Sequence, residues 1–573
     1  MSAHYSGEKP ADSPPPVEPH HLYDDGHNHD NANLVTATEE TSLTRGLKER
    51  HLSMLGIAGA IGTGLFLGLG SSVQTAGPLG ALLGYATVGL VVCAVQFALG
   101  EVAALLPVTG AFVRHAELLI DPAWGFAIGW NLVYGNILSI PSEITAICVL
   151  FEFWTDVSPA VFIVVFIVLT VAVGLTFVRV FGEVEFVFAV LKILLVVFLI
   201  ILGLVINLGG VPGTERVGFR YWQNPGPFVE YIAAGNLGKF LGYWSVMTSA
   251  VFSFAGVESI AMAAAETQNP HRAIPRACRN VFIRILVFYI LAILVVGMLV
   301  RSDDERLDDA YGVAAQSPFV IAASAAGIPA IPSVVNAVVI TSAWSASNQS
   351  LLAGTRVLYG LALKRQAPQV FLRTTGWGVP YVCVLFFTCF MFLSFMSLSN
   401  GAMTVFWWFV DLTAAGSLVS WSSILFNHIR LRLAMRKQGV PITRLPWHNS
   451  WTCRLQTNLF LWRLLISCCS VLVVLRSVHD SDDSLHRRLR GVYKGQLGPC
   501  QLCLGVPVSS LFPPSATYRV SVSDGFRSDI PLVLAAYLIW KFVKKTKFVA
   551  LSEIPLHDVF EKSEHDRNEQ LEV

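Results

Sequence analysis

Two short stretches carry the residue types that solute chemistry needs at membrane depth. One is Gly59-Ala60-Ile61-Gly62-Thr63-Gly64, with Gly56, Gly68 and Gly70 close by. The other is Phe252-Ser253-Phe254-Ala255-Gly256-Val257-Glu258. Small residues in an apolar run let helix backbones approach, and close packing alone would account for the first stretch. The same residues also permit a helix to break at the midplane. A break exposes amide N–H groups at a half-helix N-terminus, where the dipole favours a carboxylate, and frees carbonyls that accept from an ammonium. A zwitterion needs both. Glycine content leaves the two readings open. Charges add a second signal: Glu143, Lys192, Glu258 and Asp411 all fall inside apolar runs. A charge there is costly, so each must be functional, paired or facing water. Lys192, with long apolar runs on both sides, reads either as a reversible proton carrier or as a static partner for a span carboxylate. Glu101, at the end of a run, reads as a structural residue facing one surface.

The elements that would position these groups are membrane helices. Hydrophobic residues make up 54% of the 573-residue chain and charged residues 14%, against about 25% charged in soluble domains. A spanning helix needs about 20 mostly apolar residues. Candidate spans lie near 53–75, 79–104, 122–151, 159–178, 184–207, 240–264, 280–300, 332–360, 381–398 and 403–427, and weaker segments follow near 459–475 and 530–543. The runs are continuous, without the alternation of a barrel, so the expected class is an all-α integral membrane protein. The two irregular stretches fall in spans 1 and 6, corresponding places in two five-helix halves, which is the sequence pointer to a transporter site. Basic residues gather in alternate loops (Arg272, Arg276 and Arg279; Lys364 and Arg365; Arg430, Arg432 and Arg436), while 301–311 is acidic. This positive-inside pattern puts both termini in the cytoplasm if twelve spans form. The net charge of +1 gives no field for nucleic acid.

The motifs resemble the amino acid–polyamine–organocation superfamily and, within it, the fungal amino acid permease (YAT-like) family. The match runs from Leu47-Lys48-Glu49-Arg50-His51 through Ile61-Gly62-Thr63-Gly64-Leu65-Phe66, Gly77-Pro78, Ala98-Leu99-Gly100-Glu101 and Pro107-Val108-Thr109-Gly110. It continues in Glu266-Thr267-Gln268-Asn269-Pro270 and His428-Ile429-Arg430-Leu431-Arg432, and covers about 45–450. The resemblance implies a LeuT-like fold of 5+5 inverted repeats with about 12 transmembrane helices, helices 1 and 6 being broken. It implies amino acid import across the plasma membrane by proton symport, with the proton gradient in place of a cofactor. By motif, Gly62, Thr63 and Gly64 would bind the substrate carboxylate through backbone amides, with Ile61 beside them. Carbonyls near Phe252 and Ala255, next to Gly256, would take the ammonium, and Phe252 or Phe254 would gate the site. Lys192 matches the lysine that replaces a sodium site in proton-coupled relatives, and Glu258 an acidic residue tied to coupling. Glu143, Asn348 and Asp411 are the selectivity candidates, Asp411 standing where many relatives carry Asn. Lys9 and Lys48 match tail lysines that a ubiquitin ligase would modify, or are plain solvated lysines.

The resulting organisation is a polar, disordered cytoplasmic tail over 1–50, a permease core over 51–450, an aberrant segment over 451–528, a remnant of helix 12 over 529–547 and a cytoplasmic C-terminal tail over 548–573. The aberrant segment replaces helix 11 and the start of helix 12. It holds five of the ten cysteines and the run Arg487-Arg488-Leu489-Arg490, and the family pattern returns at Asp529-Ile530-Pro531. It reads as a retained intron or shifted frame, with a genuine divergent insertion as the rival. Cys500 and Cys503 lack the second ligand pair that zinc wants, and the histidines of the N-terminal tail lack a fixed ligand frame. No nucleophile elbow, phosphate loop or metal-binding helix motif is present, so the chain is not expected to be an enzyme. A non-transporting amino acid sensor of the same fold, and an exchanger, remain the alternatives.

Overall fold

The computed structural model describes residues 62–106, 108, 110–176, 178–212, 215–258, 276–278, 285–304, 307, 318–325, 327, 330–376, 378–448 and 524–572. The N-terminal tail, Ile61, the motif at 266–270 and residues 449–523, hence nearly all of the aberrant segment, lie outside them. The described elements are helices. The helices of eight or more residues, in chain order, are α1 (Thr63–Leu105), α2 (Ala111–Leu119), α3 (Pro122–Phe151), α4 (Pro159–Gly174), α5 (Val178–Asn207), α6 (Gly235–Phe254), α7 (Leu291–Leu299), α8 (Pro318–Ala325), α9 (Ala330–Leu363), α10 (Tyr381–Met391), α11 (Ala402–Gln438), α12 (Asp524–Lys544) and α13 (Leu556–Glu572). Among the described residues six helices are long and apolar enough to cross a membrane, and two shorter apolar ones accompany them.

Local chemistry sets where the helices turn. α1 runs as two helices joined at Gly77, whose φ of 76° lies in the region glycine tolerates, with Pro78 opening the second half. The corner is stitched to the chain that leads into α6: Leu79 N–H donates to Pro227 O at 3.0 Å and Val229 N–H to Ala76 O at 3.1 Å. α3 starts at Asp121, whose carboxylate accepts from Ala123 N–H, with Pro122 in the first turn. α11 stops at Gly439, left-handed with φ 71°.

The packing groups α1 with α6, and α3 with α9, α11 and α12, while α7 lies between α1 and α5. Glycines make the α1–α6 contact close. A Cβ on Gly84 would stand 2.8 Å from Val246, and one on Gly64 would stand 2.9 Å from the Ser253 Cα. One continuous core joins these helices. A second cluster lies at the end where α1 and α11 finish and includes residues of α13. The C-terminal region, expected as a cytoplasmic tail over 548–573, contains a docked helix.

Candidate functional site

α1 begins abruptly at Thr63, with Gly62 as its cap in extended geometry. Its first N–H groups therefore point out of the helix end. α6 ends at Phe254. Ala255 leaves the helix with ψ 151° and Gly256 turns left-handed at φ 82°. The two ends lie side by side, because Gly64 lets the Ser253 backbone approach. Tyr289 secures the α6 end by donating its hydroxyl to Ser253 O at 2.7 Å, and Tyr85 and Ser253 share a hydroxyl contact at 3.2 Å.

A cavity opens at this junction, with about 740 Å³ of free space counting its mouth. Gly62 and Gly64 of α1 line it, as do Glu143 of α3 and Phe252, Ala255, Gly256 and Glu258 at and beyond the α6 end. Seven of the residues singled out by sequence therefore share one chamber. Thr63 reaches it through Glu143, donating its hydroxyl to Oε2 at 3.0 Å. Glu258 accepts from Trp421 Nε1 at 3.1 Å. Phe252 meets Phe406 edge-to-face with ring centres 6.0 Å apart.

Four sequence candidates lie elsewhere. Phe254 is fully buried in the core, 4.3 Å from the Tyr289 ring. Asn348 lines a separate small recess together with Arg356 and Val384. Asp411, on α11, is half-buried and is not among the residues lining the chamber. Lys192 is wholly enclosed on α5, 3.8 Å from Glu185, whose Oε1 accepts from Ser345 Oγ at 2.6 Å. The lysine is also within electrostatic range of Glu143. Glu101 belongs to neither place. It is buried with His428 Nε2 2.8 Å from Oε1 and Arg432 Nε 2.7 Å from the same oxygen.

The chamber also holds residues that sequence reasoning passed over. Asn131, Gln349, Thr413 and Ser420 line it. Asn131 donates through Nδ2 to Gly416 O at 2.9 Å and to Ser420 Oγ at 3.1 Å. Its Oδ1 is buried and has no hydrogen-bond partner among the described residues. Uncharged polar residues on membrane helices give little local signal. The one available was their spacing, since Asn131, Gly135 and Ser139 repeat every four positions on α3. The chamber thus brings a helix N-terminus, a terminated helix with a glycine turn, two carboxyl groups and an aromatic ring into contact with one small volume. That set can hold a small dipolar solute.

Residues 51–481 match the model of the family described as amino acid permease. The chain is 38% identical over 410 residues to the dicarboxylic amino acid permease of Saccharomyces cerevisiae, covering 70% of this chain and 67% of that protein. It is 41% identical over 411 residues to the proline-specific permease of Emericella nidulans, covering 70% and 74%. It is 39% identical over 410 residues to cationic amino acid transporter 1 of Schizosaccharomyces pombe, covering 71% and 68%. Among solved structures it resembles the manganese transporter of Eremococcus coleocola with a TM-score of 0.51 at 10% identity, covering 86% of this chain and 94% of that one. A likeness at so low an identity concerns the fold alone.

Proposed function

The chain belongs to the amino acid permease family, and on that premise we propose that it imports amino acids across the plasma membrane by proton symport with alternating access. The observation that carries the reading is the junction of the α1 start and the α6 end over one chamber. The N–H groups at Gly62, Thr63 and Gly64 receive the substrate carboxylate, and the carbonyls around Phe252 and Ala255 receive the ammonium. The fold is read as a LeuT-like pair of five-helix repeats with about 12 spans, in which α1 and α6 are the broken helices. The alternation of basic and acidic loops supports cytoplasmic termini.

Proton coupling rests on the enclosed Lys192–Glu185 pair and on Glu143 within its electrostatic range. Moving a proton onto one carboxylate changes which charges remain paired, and a buried charge without its partner is strongly disfavoured. Occupancy of the chamber and the protonation of this group are coupled in that way. The three named relatives carry different substrate labels, so the amino acid is found by assay. The test is uptake of a labelled amino acid panel, at acidic and neutral external pH, in cells lacking their own permeases. Uptake that rises with external acidity and disappears in Lys192→Ala supports the reading. Binding without uptake overturns it in favour of a sensor, and uptake that requires amino acid on the other side overturns symport in favour of exchange.

A further inference from the structure

Past α12 the chain turns back over the face where α1 and α11 end. Thr546 Oγ1 donates to Asp121 Oδ1 at 2.7 Å, and Lys541 binds the other carboxylate oxygen. Val549 N–H donates to Ile120 O at 2.8 Å. From α11, Arg430 Nε donates to Leu119 O at 2.8 Å, a second guanidinium nitrogen donates to Val549 O, and the Phe548 ring lies 4.4 Å from its centre. Gln438 Nε2 donates to both Leu551 O and Ile554 O at 2.9 Å. Leu556, Val559 and Phe560 are then almost wholly buried against Val102 and Leu105 of α1 and Leu431 and Met435 of α11. Arg444 closes the far side through Glu564 at 3.2 Å.

These contacts join three elements that are remote in sequence: the end of α1, the α2–α3 connection and the end of α11. α11 lines the chamber further along, through Thr413 and Ser420, and the half of α1 that meets the strap is joined at the Gly77 corner to the half whose Gly62 and Gly64 line it. Beneath the cover lies the Glu101–His428–Arg432 group, which ties α1 to α11 directly. A segment that binds one spacing of these ends adds its docking free energy to that spacing and to no other. We infer that residues 546–564 form a releasable strap that holds this face of the chamber closed, and that the face opens when the strap lets go. The inference rests on the transport reading only in taking the chamber as the solute's route.

Ser563 offers a way to release the strap without deleting it. It is buried, its hydroxyl has no hydrogen-bond partner among the described residues, and Glu564 stands next to it. A carboxylate placed there is desolvated beside a like charge and favours the undocked helix. The experiment uses the full chain with Ala353→Cys, a position on the chamber wall. It is carried in vesicles oriented with the C-terminal face outward and labelled with a membrane-impermeant maleimide. The chain without Ala353→Cys gives the background from native cysteines. Ser563→Asp and Phe560→Glu are expected to speed labelling at least about two-fold, and Phe560→Leu to leave it unchanged. Amide hydrogen exchange at 549–560 shows in the same samples that the strap has undocked. Faster exchange with unchanged labelling, in both releasing variants, overturns the strap. Absence of amino acid uptake from every version tells against the transport reading, while the labelling result still decides the strap.

Discussion

Thr63 and Glu143, 80 residues apart, meet at the start of α1, where the threonine hydroxyl donates to the carboxylate at 3.0 Å. The carboxylate fills the space beside the helix end so closely that a Cβ on Gly62 would stand 2.5 Å from Glu143 Oε1. A side-chain carboxyl group thus lies beside the helix end at which the substrate carboxylate is proposed to bind.

Glu143→Gln is expected to lower uptake by about 10-fold or more at equal surface abundance, since a charge-assisted hydrogen bond is worth about 1.5–3 kcal/mol. Thr63→Val removes the same bond from the other side and should lower uptake in parallel, while Thr63→Ser retains it. Initial rates of labelled amino acid uptake, normalised to surface protein, check the series. Independent behaviour of the two residues in a double-mutant cycle would contradict it.

Phe252 and Phe254 separate function from folding. Phe252→Ala removes a chamber wall and its contact with Phe406, so uptake should change while abundance holds. Phe254→Ala empties a core position and should cost about 3–5 kcal/mol of stability. Detergent-extracted thermal unfolding and surface abundance distinguish the two. Equal loss of folded protein in both would remove the distinction.

The Lys192–Glu185 pair is enclosed on both sides. Removing Lys192 alone strands a buried carboxylate, at a cost of about 3–5 kcal/mol. Lys192→Ala should therefore reduce abundance as well as abolish acid-stimulated uptake. Lys192→Met with Glu185→Gln should restore abundance but not uptake. Immunodetection beside uptake at two external pH values reads both effects.

His115 supplies a pH signature outside the spans. It lies in α2 with Nε2 2.8 Å from Leu106 O, and burial pushes its imidazole down to about 4. In the unfolded chain it titrates near its ordinary value of 6.5, so between these values the unfolded state binds the extra proton. The stabilisation is complete above about pH 6.5, declines as pH falls towards 4, and amounts to at most about 3 kcal/mol. Thermal unfolding of purified protein across this range should show the decline, and His115→Gln should flatten it.

The sequence revealed the apolar runs, the glycine stretch at 59–64 and the charges inside the spans, because each departs from its local background. It did not separate Phe252 from Phe254, two positions apart on one helix, since which of them meets the chamber depends on how α6 crosses α1. It offered a span carboxylate as a partner in one of two readings of Lys192, without naming Glu185. That residue lies two turns earlier on α5, a spacing that keeps both on one face. Asn131 and Ser420 escaped because their proximity comes from α3 crossing α11, which no local pattern encodes. The docked helix α13 was hidden in a polar stretch whose few apolar residues, Leu556, Val559 and Phe560, are spaced for one narrow face.

The corner at Gly77 has a mechanical meaning. Its two backbone bonds to 227–229 clip both halves of α1 to the approach of α6, and a Cβ on Gly77 would stand 2.7 Å from Pro227 O. These contacts couple the three segments at that end. On the proposed transport reading the bending would fall at the opposite ends of the same pieces, at Gly62 and Gly256, which both line the chamber.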